Sequence, residues 1–157
     1  MIKDYYHRAW NTMLDVLAIP TDADMLGVPT EPVDFAERLN GFVSMIHAAN
    51  QEAGWWTDPM TGEDLRKNPY VVATKMMLIV SEISEAVEAY RKDLMDSHLP
   101  NRPGVEAEMA DAFIRIADLC GVLGLDLGGA VMEKNAYNQK RADHKVENRQ
   151  KAGGKKF

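Results

Sequence analysis

The sequence predicts an all-α protein, an antiparallel helix bundle. Three observations lead there. Apolar residues recur at three- and four-residue spacing along most of the chain, and no stretch sustains the period-two alternation of a strand. Glycines and prolines, among them Pro20, Gly54, Pro69, Pro103 and Gly124, cut the chain into pieces of helix length. Most connections between those pieces are short, which favours antiparallel neighbours.

Taken in order, Tyr6, Trp10, Met13 and Leu17 mark a first helix ended before Pro20, and "TDADMLGVPTEP" is a loop. Phe35, Leu39, Phe42 and Ile46 mark a second helix to about Ala53, with Gly54 just past its end. "GWWTDPMTGEDLRKNP" is rich in turn formers and long for a tight connection, so it is a candidate functional loop. The third helix starts near Pro69, a good first-turn residue, and runs to about Met95. Its apolar stripe is Met76, Val80, Ile83, Val87 and Tyr90, read as the surface that faces the core. "SHLPNRPG" breaks the chain, and a fourth helix covers Val105–Leu123, with Met109, Phe113, Ile116, Cys120 and Leu123 as core positions. Gly124 stops it, and Asp126 is a fitting N-cap for a last helix reaching past Arg141. The expected organisation is one domain over residues 1–157: an N-terminal helix and loop (1–33), a helical core (34–148) and a basic tail (149–157) that reads as a frayed end.

Composition narrows the function classes. A chain of 157 residues, 46% hydrophobic, is long enough for one real core, and a net charge of -6 argues against a general nucleic-acid binder. The lone Cys120 sits in an apolar run and reads as a small buried hydrophobe. No disulfide can form within the chain, and no segment approaches the roughly 18 apolar residues of a membrane span. The expectation is a soluble, cytoplasmic protein.

The third helix carries two carboxylates along the edge of its apolar stripe. Glu82 and Glu85 are three apart and share a side. The fourth helix repeats the arrangement with Glu108 and Asp111. Each pair alone also fits a solvated helix flank. Two such pairs on antiparallel neighbours would repel unless a cation sat among them, and an all-oxygen ligand set suits Mg²⁺, with Mn²⁺ as a substitute. A di-iron centre needs Glu-x-x-His pairs, but Asp4, Ser44, Met95 and Arg141 precede the four histidines by three. On the last helix Lys134, Asn138 and Arg141 fall at i, i+4 and i+7. Two cations and an amide on one stripe suit phosphate oxygens, although an ordinary solvated face has the same look. Lys75 lies on the same side of its helix as Glu82, placed to pair with a glutamate or touch phosphate.

The segments "EISEAVEAYRK", "EAEMADAFIRIADLCGVLGLDL" and "EKNAYNQKR" resemble the MazG-like branch of the all-α nucleoside triphosphate pyrophosphohydrolases. The pattern is E-x-x-E, a spacer, E-x-x-D and a downstream K-x-x-x-N-x-x-R helix, and it covers roughly Asn50–Arg141. Ser81 stands where some members carry a further glutamate. The resemblance implies Mg²⁺ on Glu82, Glu85, Glu108 and Asp111, and phosphates on Lys134, Asn138 and Arg141. It implies hydrolysis of a (d)NTP to (d)NMP and diphosphate by a nucleotide diphosphohydrolase, with Glu82 favoured over Glu85 as acceptor of the water's proton. Trp55 and Trp56 would lie beside that site, where an indole can stack on a base; core packing or a dimer contact is the competing use of each, and Asn50 is a candidate reader of a base edge. Compact length and the "DHKVENR" ending are similar to phage-borne members that act on (d)GTP. Two alternatives stand beside this: a housecleaning enzyme for non-standard or pyrimidine dNTPs, and a non-catalytic dimerisation or regulatory bundle. The family is dimeric or tetrameric, and the apolar stripes at Tyr6–Leu17 and Val122–Val131 point the same way, to a homo-oligomer with the tetramer of two dimers preferred.

Overall fold

A computed structural model describes residues 35–155. The first expected helix and the loop after it lie outside them. The described residues are all-α: α1 is Phe35–Glu52, α2 Pro69–Arg91, α3 Gly104–Leu123, α4 Leu127–Lys140, and α5 the single turn Val146–Arg149 after a 3-10 turn at Ala142–His144. No described helix is long and apolar enough to cross a membrane. Glu37–Gly128 forms one compact unit, and residues 129–155 belong to a second.

The helix ends follow from local chemistry. Asn68 accepts the Tyr70 N–H as N-cap of α2, with Pro69 in the first turn where its missing N–H is no loss. The ends of α1, α2 and α3 share one closure: an amide five residues on bonds back to a carbonyl of the last turn, Trp55 to Asn50, Leu94 to Ala89 and Leu125 to Cys120. That closure needs a left-handed residue, supplied by Gly54 (φ 82°), Asp93 (φ 49°) and Gly124 (φ 63°). The Asp93 closure ends α2 at Arg91, four residues short of the expected Met95, because an aspartate tolerates the left-handed region almost as glycine does. The start of α4 is tied from a distance: Asn40 Oδ1 accepts the Gly128 N–H at 2.8 Å while Asn40 Nδ2 donates to Asp126 at 2.7 Å.

α2 and α3 pack along their lengths and run antiparallel. Ala89 meets Gly104 at one end, Glu82 meets Arg115 mid-way, and Lys75 feels the charges of Arg115 and Asp118 at the other. The seam is built from small residues: Ala86, Ala89, Gly104, Ala107 and Ala112 are all buried. Here the sequence expectation is corrected. The α2 stripe read as core-facing (Met76, Val80, Ile83, Val87 and Tyr90) is exposed in the single chain, Tyr90 by 73%, and the buried side is the one that carries Glu82. Small side chains let two helices approach closely, so the alanine side, not the side with the largest residues, makes the contact.

α1 lies against α3. Val43 packs with Ala117 and Cys120, flanked by Phe42, Ile46, Ile116 and Leu127, and Phe42 stacks on Phe113 at 5.5 Å. Burial pushes the Cys120 thiol up, as expected for an inert core cysteine. The crossing point is Gly121. A Cβ there would fall well inside contact distance of the His47 Cβ and ring. Gly121→Ala is therefore expected to destabilise by about 1–3 kcal/mol through overpacking, despite alanine's better helix propensity. A melting temperature at or above wild type would show that α1 does not seat here.

In the second unit, ion pairs and hydrogen bonds link residues between 141 and 155. Arg141 forks onto Asp143 at 2.7 and 3.0 Å, Lys155 Nζ reaches the same carboxylate at 2.8 Å, and Arg149 Nε donates to the Lys155 carbonyl at 3.3 Å. The two cations hold the Asp143 carboxyl far below the usual carboxylate range.

Candidate functional site

The α2–α3 seam is alanine-lined at one end and charged from its middle onward. Glu82, Glu108 and Asp111 each bring a carboxylate oxygen within 4.8 Å of the others. Their spacing makes this automatic: Glu108 and Asp111 share a side of α3, and the antiparallel register puts Glu82 opposite both. Glu82 is buried, Glu108 half-buried and Asp111 exposed, so the group opens from the interior toward solvent. Glu85, one turn along α2 from Glu82, is exposed and stands outside the close trio, but its charge reaches Glu108. Ser81, where a further acid is absent, bonds its own helix through the Leu78 carbonyl.

Crowding has a measurable consequence. Burial first, then the charge of Glu85, a hydrogen bond to Glu82 and the charges of Glu82 and Asp111 all raise the Glu108 pKa. The sign follows. A carboxyl whose folded pKa lies above its unfolded value destabilises the fold once ionised. That penalty is full above the raised folded pKa and vanishes below the ordinary value of 4.5. Stability of the metal-free protein should therefore gain a contribution as pH falls from neutrality toward 4.5, and Glu108→Gln should remove it. Melting curves of both proteins between pH 7 and 5 check this; identical pH profiles would mean that neither burial nor the neighbouring acids act on Glu108.

Glu82 already has one cation. Arg115 Nε lies 2.7 Å from its Oε1, with the Glu82 side chain 8% exposed and that of Arg115 42%. Beyond Arg115 a cleft of about 230 Å³ opens, lined by Asn50, Trp55, Lys75, Asp111, Ile114, Arg115 and Asp118. Asp111, Arg115 and Asp118 recur at i, i+4 and i+7, one stripe of α3 running from the carboxylates into the cleft.

Asp118 is 5% exposed. Its Oδ1 accepts from Trp56 Nε1 at 2.9 Å and lies 2.7 Å from His47 Nδ1. An ionised carboxylate only accepts, so the His47 Nδ1 is the donor. Sequence reasoning missed Asp118, Arg115 and His47; the i+4 and i+7 spacing from Asp111 was the signal for the first two. The loop after α1 supplies the tryptophans. It folds as a small hairpin, Leu65 N–H to Trp56 carbonyl and Asp58 N–H to Glu63 carbonyl, that turns Trp56 inward. Trp56 is 3% exposed, with Lys75 Nζ 4.2 Å from its ring centroid, so it is packed rather than offered for stacking. Trp55, 65% exposed, lines the cleft, as does Asn50. The Lys75 pKa is lowered, chiefly by burial, with Arg115 adding to the effect and Asp118 opposing it.

Lys134, Asn138 and Arg141 lie in the second unit. Lys134 Nζ and the Arg141 guanidinium stand 5.3 and 6.0 Å from the Tyr137 ring. α4 ends at Lys140, so Arg141 is not on the helical stripe; it leads into the 3-10 turn and its fork is occupied by Asp143. Asn138 Oδ1 is buried and takes no hydrogen bond among the described residues. No protein family, curated protein or solved structure matches the chain.

Proposed function

We propose that the chain is a Mg²⁺-dependent nucleoside triphosphate pyrophosphohydrolase of the MazG-like, all-α type, converting a (d)NTP to (d)NMP and diphosphate, with (d)GTP the favoured substrate. The observation that carries the reading is the convergence of Glu82, Glu108 and Asp111 from two helices at the head of a cleft. Three carboxylate oxygens within 4.8 Å suit a hard divalent ion, and the Glu108 pKa, raised first by burial and then by the neighbouring carboxylates, marks a charge that such an ion would offset. A bound Mg²⁺ would supply Lewis acidity toward phosphate oxygens and the attacking water. The chain's own residues do the rest. Glu82, Glu108 and Asp111 would hold the ion. Arg115 and Lys75, both lining the cleft with Asp111, would neutralise phosphate oxygens. Glu85, exposed and outside the trio, fits the role of proton acceptor better than Glu82, whose Oε1 is held by Arg115. The resemblance also gives Lys134, Asn138 and Arg141 a phosphate role; they lie in the second unit, with the Arg141 fork held by Asp143.

The test is pyrophosphate release from the common ribo- and deoxyribonucleoside triphosphates with and without Mg²⁺. Release from none, together with a melting temperature indifferent to Mg²⁺, would leave the competing reading. That reading is a non-catalytic helical bundle in which Glu82 is simply the partner of Arg115, and the 2.7 Å ion pair is the observation in its favour.

Assembly belongs to the same proposal. Met76, Val80, Ile83, Val87 and Tyr90 on α2 are exposed together, as are Met109 on α3 and Leu125 after it. Monomers seldom leave such stripes uncovered. A homo-oligomer, dimer or tetramer of two dimers, is expected by light scattering at micromolar concentration. A stable, active 17.6 kDa monomer would overturn this part.

A further inference from the structure

The cleft ends on a carboxylate that the hydrolysis does not use. Asp118 is buried, and both of its hydrogen bonds fall on one oxygen, Oδ1, from His47 and Trp56. Oδ2 takes none among the described residues, although Asp118 lines the cleft. A buried anion with a whole oxygen turned to a ligand space is costly unless a ligand supplies donors. Two donors on the far side, one from a histidine and one from an indole, hold the carboxylate so that its unused oxygen cannot swing away.

Asp118 stands seven residues after Asp111, two helical turns or roughly 10 Å along α3. A nucleotide with its phosphates at the carboxylate trio would bring its base to that depth, between Ile114 and the exposed face of Trp55. What a fixed acceptor selects is then a matter of base edges. Guanine presents two adjacent donors, N1–H and the 2-amino group, beside a carbonyl. Adenine and cytosine each place an acceptor next to their single amino group, and thymine or uracil has one donor between two carbonyls. A carboxylate repels those acceptors and accepts from both guanine donors. The Asn50 amide, which also lines the cleft, is a donor for the guanine carbonyl.

We propose that Asp118 is the base-reading residue of the cleft, its Oδ2 accepting from N1–H and the 2-amino group of guanine, with His47 and Trp56 as the positioning residues that fix it. This rests on the nucleotide reading above and assigns its specificity to a residue outside the metal group. It also predicts the behaviour of Asp118→Asn. His47 and Trp56 both require an acceptor, so the side-chain amide of that variant must turn its carbonyl to them and present its NH₂ to the cleft. A donor then faces guanine's donors, and the preference should move toward adenine.

The experiment has two arms. In the first, binding of dGMP, dIMP and dAMP to the wild-type protein is measured by calorimetry without metal. dIMP lacks only the 2-amino group. Loss of a hydrogen bond to a charged acceptor should weaken dIMP at least about tenfold, and dAMP further. In the second, kcat/KM for dGTP, dITP and dATP is compared between wild type and Asp118→Asn. The dGTP-to-dATP ratio is expected to fall by about 100-fold or more in the variant, while dATP itself holds or improves. Equal binding of dGMP and dIMP, or of none of the three, overturns the assignment, and so does a uniform loss for all three triphosphates. The first arm needs no variant, so a misfolded Asp118→Asn leaves the proposal exposed to it. Selective dGMP binding with no hydrolysis of any triphosphate would support the base reader while refuting the pyrophosphohydrolase.

Discussion

Asp111→Asn is expected to lower pyrophosphate release by roughly 10³-fold or more, with the fold intact. Asp111 contributes an oxygen to the trio, and a divalent ion at a phosphoryl centre supplies several kcal/mol of charge stabilisation, each 1.36 kcal/mol being a factor of ten. No cation pairs with Asp111 among the described residues, and its charge adds to the load on Glu108. Neutralising it should leave the metal-free melting temperature unchanged or slightly higher. Glu82→Gln is expected to match it in activity but not in stability. Glu82 is buried and holds Arg115, so its neutral form leaves that guanidinium without its charge partner. The two variants thus separate the roles. Calorimetry without metal and a pyrophosphate assay with Mg²⁺ read both, and Asp111→Asn turning over near the wild-type rate would remove the metal from the mechanism.

The helices were legible because their signals are local. Pro69 in a first turn, Gly54 and Gly124 just past helix ends, and the three-and-four spacing each act within a turn or two, and the ends of α1 and α3 fall where they say. The packing face of α2 was not legible. Periodicity marks the side with the largest apolar residues, but contact area between two helices depends on how closely their axes approach. Ala86, Ala89 and Gly104 decide that, and they weigh little in a hydrophobicity pattern. Once the alanine side is the buried side, Glu82 is a buried carboxylate in the seam itself.

The acidic trio was legible from two E-x-x-E/D spacings and one short connection, because antiparallel register then fixes who faces whom. Its surroundings were not. His47 reaches Asp118 across 71 positions of chain, and Trp56 reaches it across 62, so neither pairing has a sequence period to reveal it. Trp55 and Trp56 look equivalent as letters. The hairpin that follows them buries one and exposes the other, a distinction made by the Leu65-to-Trp56 backbone bond.

Arg115→Ala should lower the stability of the metal-free protein by about 2 kcal/mol. Breaking a fully buried pair costs more, but Arg115 is 42% exposed and water recovers part of the loss. What remains is Glu82, 8% exposed, facing Glu108 with no counter-charge. Mg²⁺ then becomes the informative variable. In the wild type an ion entering the trio must share Glu82 with a guanidinium already 2.7 Å away, so part of its attraction is spent on displacing or tolerating that cation. In the variant it meets an uncompensated cluster. The rise in melting temperature on adding Mg²⁺ should therefore be larger for Arg115→Ala than for wild type, the ion standing in for the lost guanidinium. Activity should still fall, because the variant loses a cation beside the cleft where phosphate oxygens would lie. A structural bundle behaves otherwise: the variant is destabilised and Mg²⁺ restores nothing. Thermal melts of both proteins across a Mg²⁺ titration, with Ca²⁺ and a monovalent salt at matched ionic strength as controls, separate specific binding from screening. A Mg²⁺ response no larger than that of the monovalent salt in either protein would mean that Glu82, Glu108 and Asp111 hold no ion.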